Sequence, residues 1–219
     1  MMRRVVLVHT VAGLVPMFQE LTKGLPSDVR ISNIVDESLL EDAITAGGLT
    51  QSVNRRVVDH VLSAVDSGAV AVLATCSSIG PAVEIASRLV DVPVLRIDEP
   101  MTAAAIDSGR RIGVLATVAS TLNPTVDLLR RCAQGLGKDV ELTPLLRDEA
   151  FAAIRSGDGA RHDEIIREAL MDLAAGVDVI VLAQASMARV VATLEPGALS
   201  VPVLSSPSSG MARLASVLA

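Results

Sequence analysis

The chain has 219 residues, half of them hydrophobic, with no Trp, no Tyr and only two Phe, Phe18 and Phe151. Its core must therefore be built from Val, Leu, Ile and Ala, a composition that suits buried parallel strands covered by helices. The 19 Lys and Arg against 25 Asp and Glu give a net charge of −6, so there is no basic, aromatic-studded surface of the kind that binds nucleic acid.

Short apolar runs alternate with helix-like stretches along the whole chain. The predicted strands are Arg4–Val8, Val29–Val35, Val70–Thr75, Val92–Ile97, Arg111–Ala116, Val140–Leu142, Val177–Ala183 and Val201–Leu204. The clearest helix runs from an N-cap at Thr50 to a terminating Gly68, with Val53, Val57, Val58, Val61, Leu62 and Val65 as its apolar stripe. Strand followed by helix, repeated, predicts parallel sheets with right-handed crossovers. The basic start MMRR leads to an apolar run that stops at His9, too short for a signal peptide, and no run is long enough to span a membrane. Cys76 and Cys132 form no disulfide framework and read as reduced thiols. A cytoplasmic protein is expected. The three His are far apart, so no metal site is expected.

The two halves of the chain repeat each other. RRVVLVHTVA (Arg3–Ala12) matches RRIGVLATVA (Arg110–Ala119), LATCS (Leu73–Ser77) matches LAQAS (Leu182–Ser186), and VPVL occurs at Val92–Leu95 and Val201–Leu204. The three shifts are 107, 109 and 109 residues, which argues for duplication of a four-stranded unit. The expected architecture is α/β, with two pseudo-symmetric Rossmann-like halves, each a four-stranded parallel sheet flanked by helices, and one cleft between them. The expected division is residues 1–98 plus 208–219 for one half and 99–207 for the other.

In open parallel sheets, ligands sit beyond the carboxyl ends of the strands. Cys76 ends such a strand and is followed by Ser77, Ser78, Ile79, Gly80 and Pro81, where a helix is predicted to start. The positive end of a helix dipole favours the thiolate, which is the reactive form. Cys132, inside the helix-like LLRRCAQ, reads as a packing residue. Thr10, Ser77, Ser78, Thr117 and Ser186 fall at strand ends of both halves and are the candidate substrate-binding hydroxyls, with Ala185, in the repeat position of Cys76, as a further substrate-binding candidate. Asp36, Glu37, Asp98, Glu99 and His162 are further acid/base candidates, the carboxylates having helix capping as their competing role. His60 borders the apolar stripe of its helix and reads as a surface residue.

Two such halves with a strand-end cysteine resemble the aspartate/glutamate racemase superfamily, which also holds hydantoin racemases, maleate isomerases and arylmalonate decarboxylases. The matching stretches are HTVAGL (His9–Leu14), ATCSSIGPA (Ala74–Ala82), similar to a Cys-Asn-Thr motif, and LAQASM (Leu182–Met187), in the place of a Gly-Cys-Thr motif. The resemblance implies a cofactor-independent isomerase acting on a small carboxylate or amide, with Cys76 moving a proton at the adjacent carbon. His9, where the family often has Asp, becomes an acid/base or orienting group. Hydrogen bonds from loop amides and hydroxyls would hold the enediolate. The chain departs from the two-thiol pattern because Ala185 is read at the second Cys and Met187 follows it. One thiol also suits one-face protonation after decarboxylation, covalent addition with cis–trans rotation, or tautomerisation. A protein that captures a small acid without chemistry is the alternative from another class. No nucleic-acid or membrane partner is expected, and self-association into a homo-oligomer is left open.

Overall fold

The computed structural model describes residues 2–195 and 197–219, so Met1 and Pro196 lie outside the described residues. In the first half, β1 (Arg3–His9), α1 (Val15–Thr22), β2 (Val29–Val35), α2 (Ser38–Thr45), α3 (Gln51–Asp66), β3 (Ala69–Ala74), α4 (Gly80–Ala86) and β4 (Val94–Arg96) follow in order. The second half holds α5 (Glu99–Ser108), β5 (Arg111–Ala116), α6 (Ala119–Gly135), β6 (Glu141–Leu146), α7 (Asp148–Arg155), α8 (Gly159–Ala174), β7 (Val179–Leu182), α9 (Ala188–Val191) and β8 (Val203–Ser205). The chain ends in α10 (Ser206–Leu218). It forms two compact units, one running to Asp98 and including Pro207–Ala219, the other Glu99–Ser206.

Each unit is built on an all-parallel four-stranded sheet, in the order β2-β1-β3-β4 in the first and β6-β5-β7-β8 in the second. The duplicated sequence thus folds into duplicated topology. Central strands are buried on both faces, which is why Val5–Val8, Ala71–Ala74 and Val179–Leu182 are unbroken apolar runs. Helix α3 starts where the sequence predicts: the Thr50 side chain accepts from the Val53 N–H at 3.2 Å. Val53, Val57, Val61 and Ala64 are its fully buried face, each Val contributing about 1.5–3 kcal/mol on burial. Gly68 follows with φ 83°, a left-handed turn that suits glycine.

Strand β6 is longer than the sequence suggests and contains Pro144. It is an edge strand, where a residue without an N–H is tolerated. Of the Ser-rich run SSPSSG, Ser205 ends β8 and Ser206–Gly210 form the start of α10. This helix belongs to the first unit: Met211, Leu214 and Leu218 pack with Val5, Leu7, Phe18, Leu73 and Ile97. Gly210 permits the approach, because a Cβ there would lie 2.3 Å from Ile97 Cδ1. Among the described residues, no helix is long and apolar enough to cross a membrane.

Candidate functional site

In the first unit the chain leaves β1 for β2 on one side and later returns to β3 on the other. The carboxyl ends of β1 and β3 therefore flank the point where strand order reverses, the usual ligand position in open α/β sheets. They bring together His9 and Thr10 from one strand and Thr75, Cys76, Ser77 and Ser78 from the other.

Cys76 is a free, half-buried thiol. Its backbone is extended (φ −128°, ψ 124°) and caps a 3-10 turn, Ser77–Ile79, that runs directly into α4. Ser77 and Ser78 are buried on that turn. Thr10 is 2% exposed, and its hydroxyl has no hydrogen-bond partner among the described residues. A buried hydroxyl left unpaired costs about 1–3 kcal/mol. The next residues of the β1 loop are latched, with the Ala12 N–H donating to Glu37 Oε1 at 3.0 Å.

His9 is fully buried, with both ring nitrogens engaged. Nε2 lies 2.9 Å from Asn33 Oδ1, and Nδ1 lies 2.9 Å from the Thr75 hydroxyl. Nε2–H donates to Asn33, while the single Thr75 hydroxyl proton is shared between His9 Nδ1 and the Val8 carbonyl, 3.2 Å away. The ring packs against Phe18 at a centroid distance of 5.5 Å. Burial pushes its pKa below the ordinary histidine value, only partly offset by Asn33.

Three of the four carboxylate candidates, Asp36, Glu37 and Asp98, are bound to other partners. Asp36 accepts from Ser38, Arg56 and His60, and despite burial these bonds hold its carboxyl well below the usual range. Asp98 is buried and takes both arms of a fork from Arg96, at 2.9 and 2.8 Å. Glu99 is exposed in the first turn of α5, where an acid suits the helix dipole. His162, buried on α8, places Nδ1 2.7 Å from Asp163, which also pairs with Arg189 at 2.6 Å. Among the described residues, no group of three or more His, Cys, Asp and Glu side chains is arranged to hold a metal.

The second unit corrects one alignment made from sequence. Val8 faces Ala74 across the first sheet as Leu115 faces Leu182 across the second. The Thr75 N–H donates to the Val8 carbonyl, and the Ala183 N–H to that of Leu115. Two strand positions on from Ala74 and Leu182, the counterpart of Cys76 is Gln184 rather than Ala185. Gln184 has the same extended backbone (φ −128°, ψ 134°) and likewise caps a 3-10 turn, Ala185–Met187. Matching Leu-Ala pairs aligned the two segments by letter; the hydrogen-bond ladder slides them by one. Gln184 is clasped onto Thr117, its Oε1 accepting from the Thr117 N–H at 2.6 Å and its Nε2 donating to the Thr117 hydroxyl at 2.9 Å. Ala185 is buried beside this clasp, and Ser186 is half-buried.

One further residue of this unit escaped the sequence reading. Ser120, in the first turn of the 17-residue α6, has a buried hydroxyl with no partner among the described residues. Only its place two residues beyond the extended Val118 cap could have singled it out.

A four-stranded doubly wound unit, present twice and carrying a thiol and hydroxyls at its strand ends, defines a class of α/β proteins that bind small ligands at switch points. The chain belongs to the Asp/Glu/hydantoin racemase family, whose model matches residues 5–214. Similar solved structures include glutamate racemase RacE1 from Bacillus anthracis, 16% identical, covering 99% of this chain and 81% of that one with a TM-score of 0.74. Allantoin racemase from Klebsiella pneumoniae is 16% identical over 99% of this chain and 87% of its own, with a TM-score of 0.69. Picrophilus torridus aspartate racemase is 13% identical over 98% and 94%, with a TM-score of 0.71. No curated protein sequence matches the chain.

Proposed function

We propose that this protein is a cofactor-independent racemase or isomerase in which Cys76 moves a proton at the carbon next to the carboxylate or amide of a small substrate. The observation that carries the reading is the free, half-buried Cys76 after β3, with the unpaired Thr10 hydroxyl following the end of the neighbouring strand β1. The Cys76 thiolate takes the proton and becomes a thiol. The electron pair left on carbon moves onto the carboxylate or amide oxygen and returns as carbon is reprotonated, by the Cys76 thiol on the same face for exchange with retention, or by a water-fed donor on the opposite face for racemisation. A thiolate is a weak base for this task, so preorganised donors must stabilise the developing oxyanion. Thr10, whose hydroxyl is unpaired among the described residues, and Ser77, on the turn that follows Cys76, are the hydroxyls of the same unit offered to such an oxygen. His9 acts by orientation in this reading, because Asn33 and Thr75 already occupy its two nitrogens.

Gln184 favours a second reading of the outcome. Its side-chain amide, in the repeat position of Cys76, is neither an acid nor a base near neutral pH, so the repeat supplies no second thiol and Cys76 serves one face of the carbon. Such chemistry gives proton exchange with retention, protonation after decarboxylation, or covalent addition to a double bond with cis–trans rotation. Incubation with amino acids, hydantoins, malonates and maleate in D2O, followed by proton NMR and chiral analysis, tests both. Deuterium incorporation with racemisation supports the two-face reaction, and incorporation with retention or a one-handed product supports the one-face reaction. Binding without either outcome makes the protein a small-acid binder instead.

A further inference from the structure

We infer that Arg96 is a positioning residue for Cys76: its buried guanidinium, forked onto Asp98 and tied to Glu84, fixes the turn that carries the thiol. The inference rests on Cys76 being the reacting group.

Arg96 ends β4, and its side chain is only 4% exposed. Nε and Nη2 bind the two oxygens of Asp98, and Nη1 binds Glu84 of α4. The guanidinium is thus committed inside the protein and is not an anchor for a substrate carboxylate. It lies flat against the start of α4, at Gly80. A Cβ on Gly80 would stand 2.2 Å from Arg96 Cζ and 2.3 Å from Nη2. Ion pairs at both ends of the guanidinium stop it from swinging away. Gly80 directly follows the Ser77–Ile79 turn capped by Cys76, so whatever locates Gly80 also locates the thiol.

The second unit supplies the contrast. Ala74 pairs with Arg96, and the corresponding Leu182 pairs with Ser205. The first residue of α4 is Gly80, and the first residue of α9 is Ala188. Where the turn carries a thiol, the sheet supplies arginine and the helix starts with glycine; where it carries Gln184, serine and alanine replace both. A buried ion pair is a poor device for stability alone, because desolvation of the charges consumes much of the Coulombic gain. Its confinement to the thiol-bearing unit fits a role in holding geometry. Misplacement of a reacting group by about 1 Å can cost on the order of 100-fold in rate.

The test compares wild type with Arg96→Lys, Asp98→Asn and Gly80→Ala. Each is measured for iodoacetamide alkylation of Cys76 by mass spectrometry, with Cys132 as the internal reference, and for kcat and KM of substrate deuteration. Arg96→Lys keeps the charge and loses the fork, Asp98→Asn removes the partner, and Gly80→Ala leaves every charge in place if an ion-pair variant fails to fold. We expect Cys76 alkylation to change about threefold or more with Cys132 unchanged, and kcat to fall about tenfold or more with a smaller change in KM. Folded variants with wild-type Cys76 alkylation and kcat would overturn the inference. Altered Cys76 alkylation in a protein whose wild type deuterates no substrate would leave the positioning role standing and remove the proposed function instead.

Discussion

Thr10 offers the sharpest separation of folding from function. Its hydroxyl is buried and unpaired, so the fold bears a desolvation cost that a ligand oxygen would relieve. Thr10→Val removes the hydroxyl and keeps the branched shape. Relief of the unpaired group is expected to stabilise the protein by about 1 kcal/mol, the low end of the usual range for such a group. For a protein of this size that is a rise in Tm of roughly 2–4 °C. The same change removes a donor to the developing oxyanion, and loss of such a donor costs about 100-fold in kcat. Differential scanning calorimetry and the deuteration rate on one sample read both numbers, with Thr10→Ser as the control that keeps the hydroxyl. A Thr10→Val protein less stable than wild type would mean that the hydroxyl already has a partner. Undiminished deuteration would mean that it faces no reacting oxygen.

Three other outcomes follow from the same structure. Ser120→Ala should leave Tm unchanged or higher, by the same reasoning, read by calorimetry against wild type. His9 has its pKa lowered by burial, so as pH falls below about 6.5 the unfolded state takes up a proton that the folded state refuses. Stability contributed by neutral His9 is therefore present above that pH and declines below it; urea unfolding of His9→Gln from pH 7.5 to 5 should show a flatter dependence. Asp36 behaves in the opposite range: its lowered pKa gives stability above the unfolded value of about 4 that is lost as pH falls through the folded one. Asp36→Asn should be less stable than wild type at pH 7, with the gap closing in acid unfolding curves.

Much of this architecture could be read from one-dimensional pattern because its determinants are local or periodic. Val29–Val35 and Arg111–Ala116 are strands with the expected bounds, and Thr50 caps α3 as its spacing suggests. The repeat announced two sheets, and both have one strand order. What escaped depends on the third dimension. Pro144 argues against a strand until β6 is known to lie at an edge. The choice between Ala185 and Gln184 turns on a one-residue slide that only the ladder fixes, because matching Leu-Ala pairs favour the wrong pairing. Arg96 looks like the end of an ordinary apolar strand, and its contact with Gly80 joins residues that no motif links. His9 was legible as a strand-end group, but the occupation of both its nitrogens depends on Asn33 and Thr75, from two neighbouring strands' ends.

The proposed proton transfer depends on the sulfur of Cys76. The direct measurement is deuterium incorporation at the carbon beside the substrate's acyl group, comparing wild type with folded Cys76→Ala and Cys76→Ser proteins in D2O. Wild type should incorporate deuterium and both variants should do so at least about 100-fold more slowly, since a positioned acid/base supplies about 10²–10⁴ in rate. Incorporation at the wild-type rate in Cys76→Ala would contradict it.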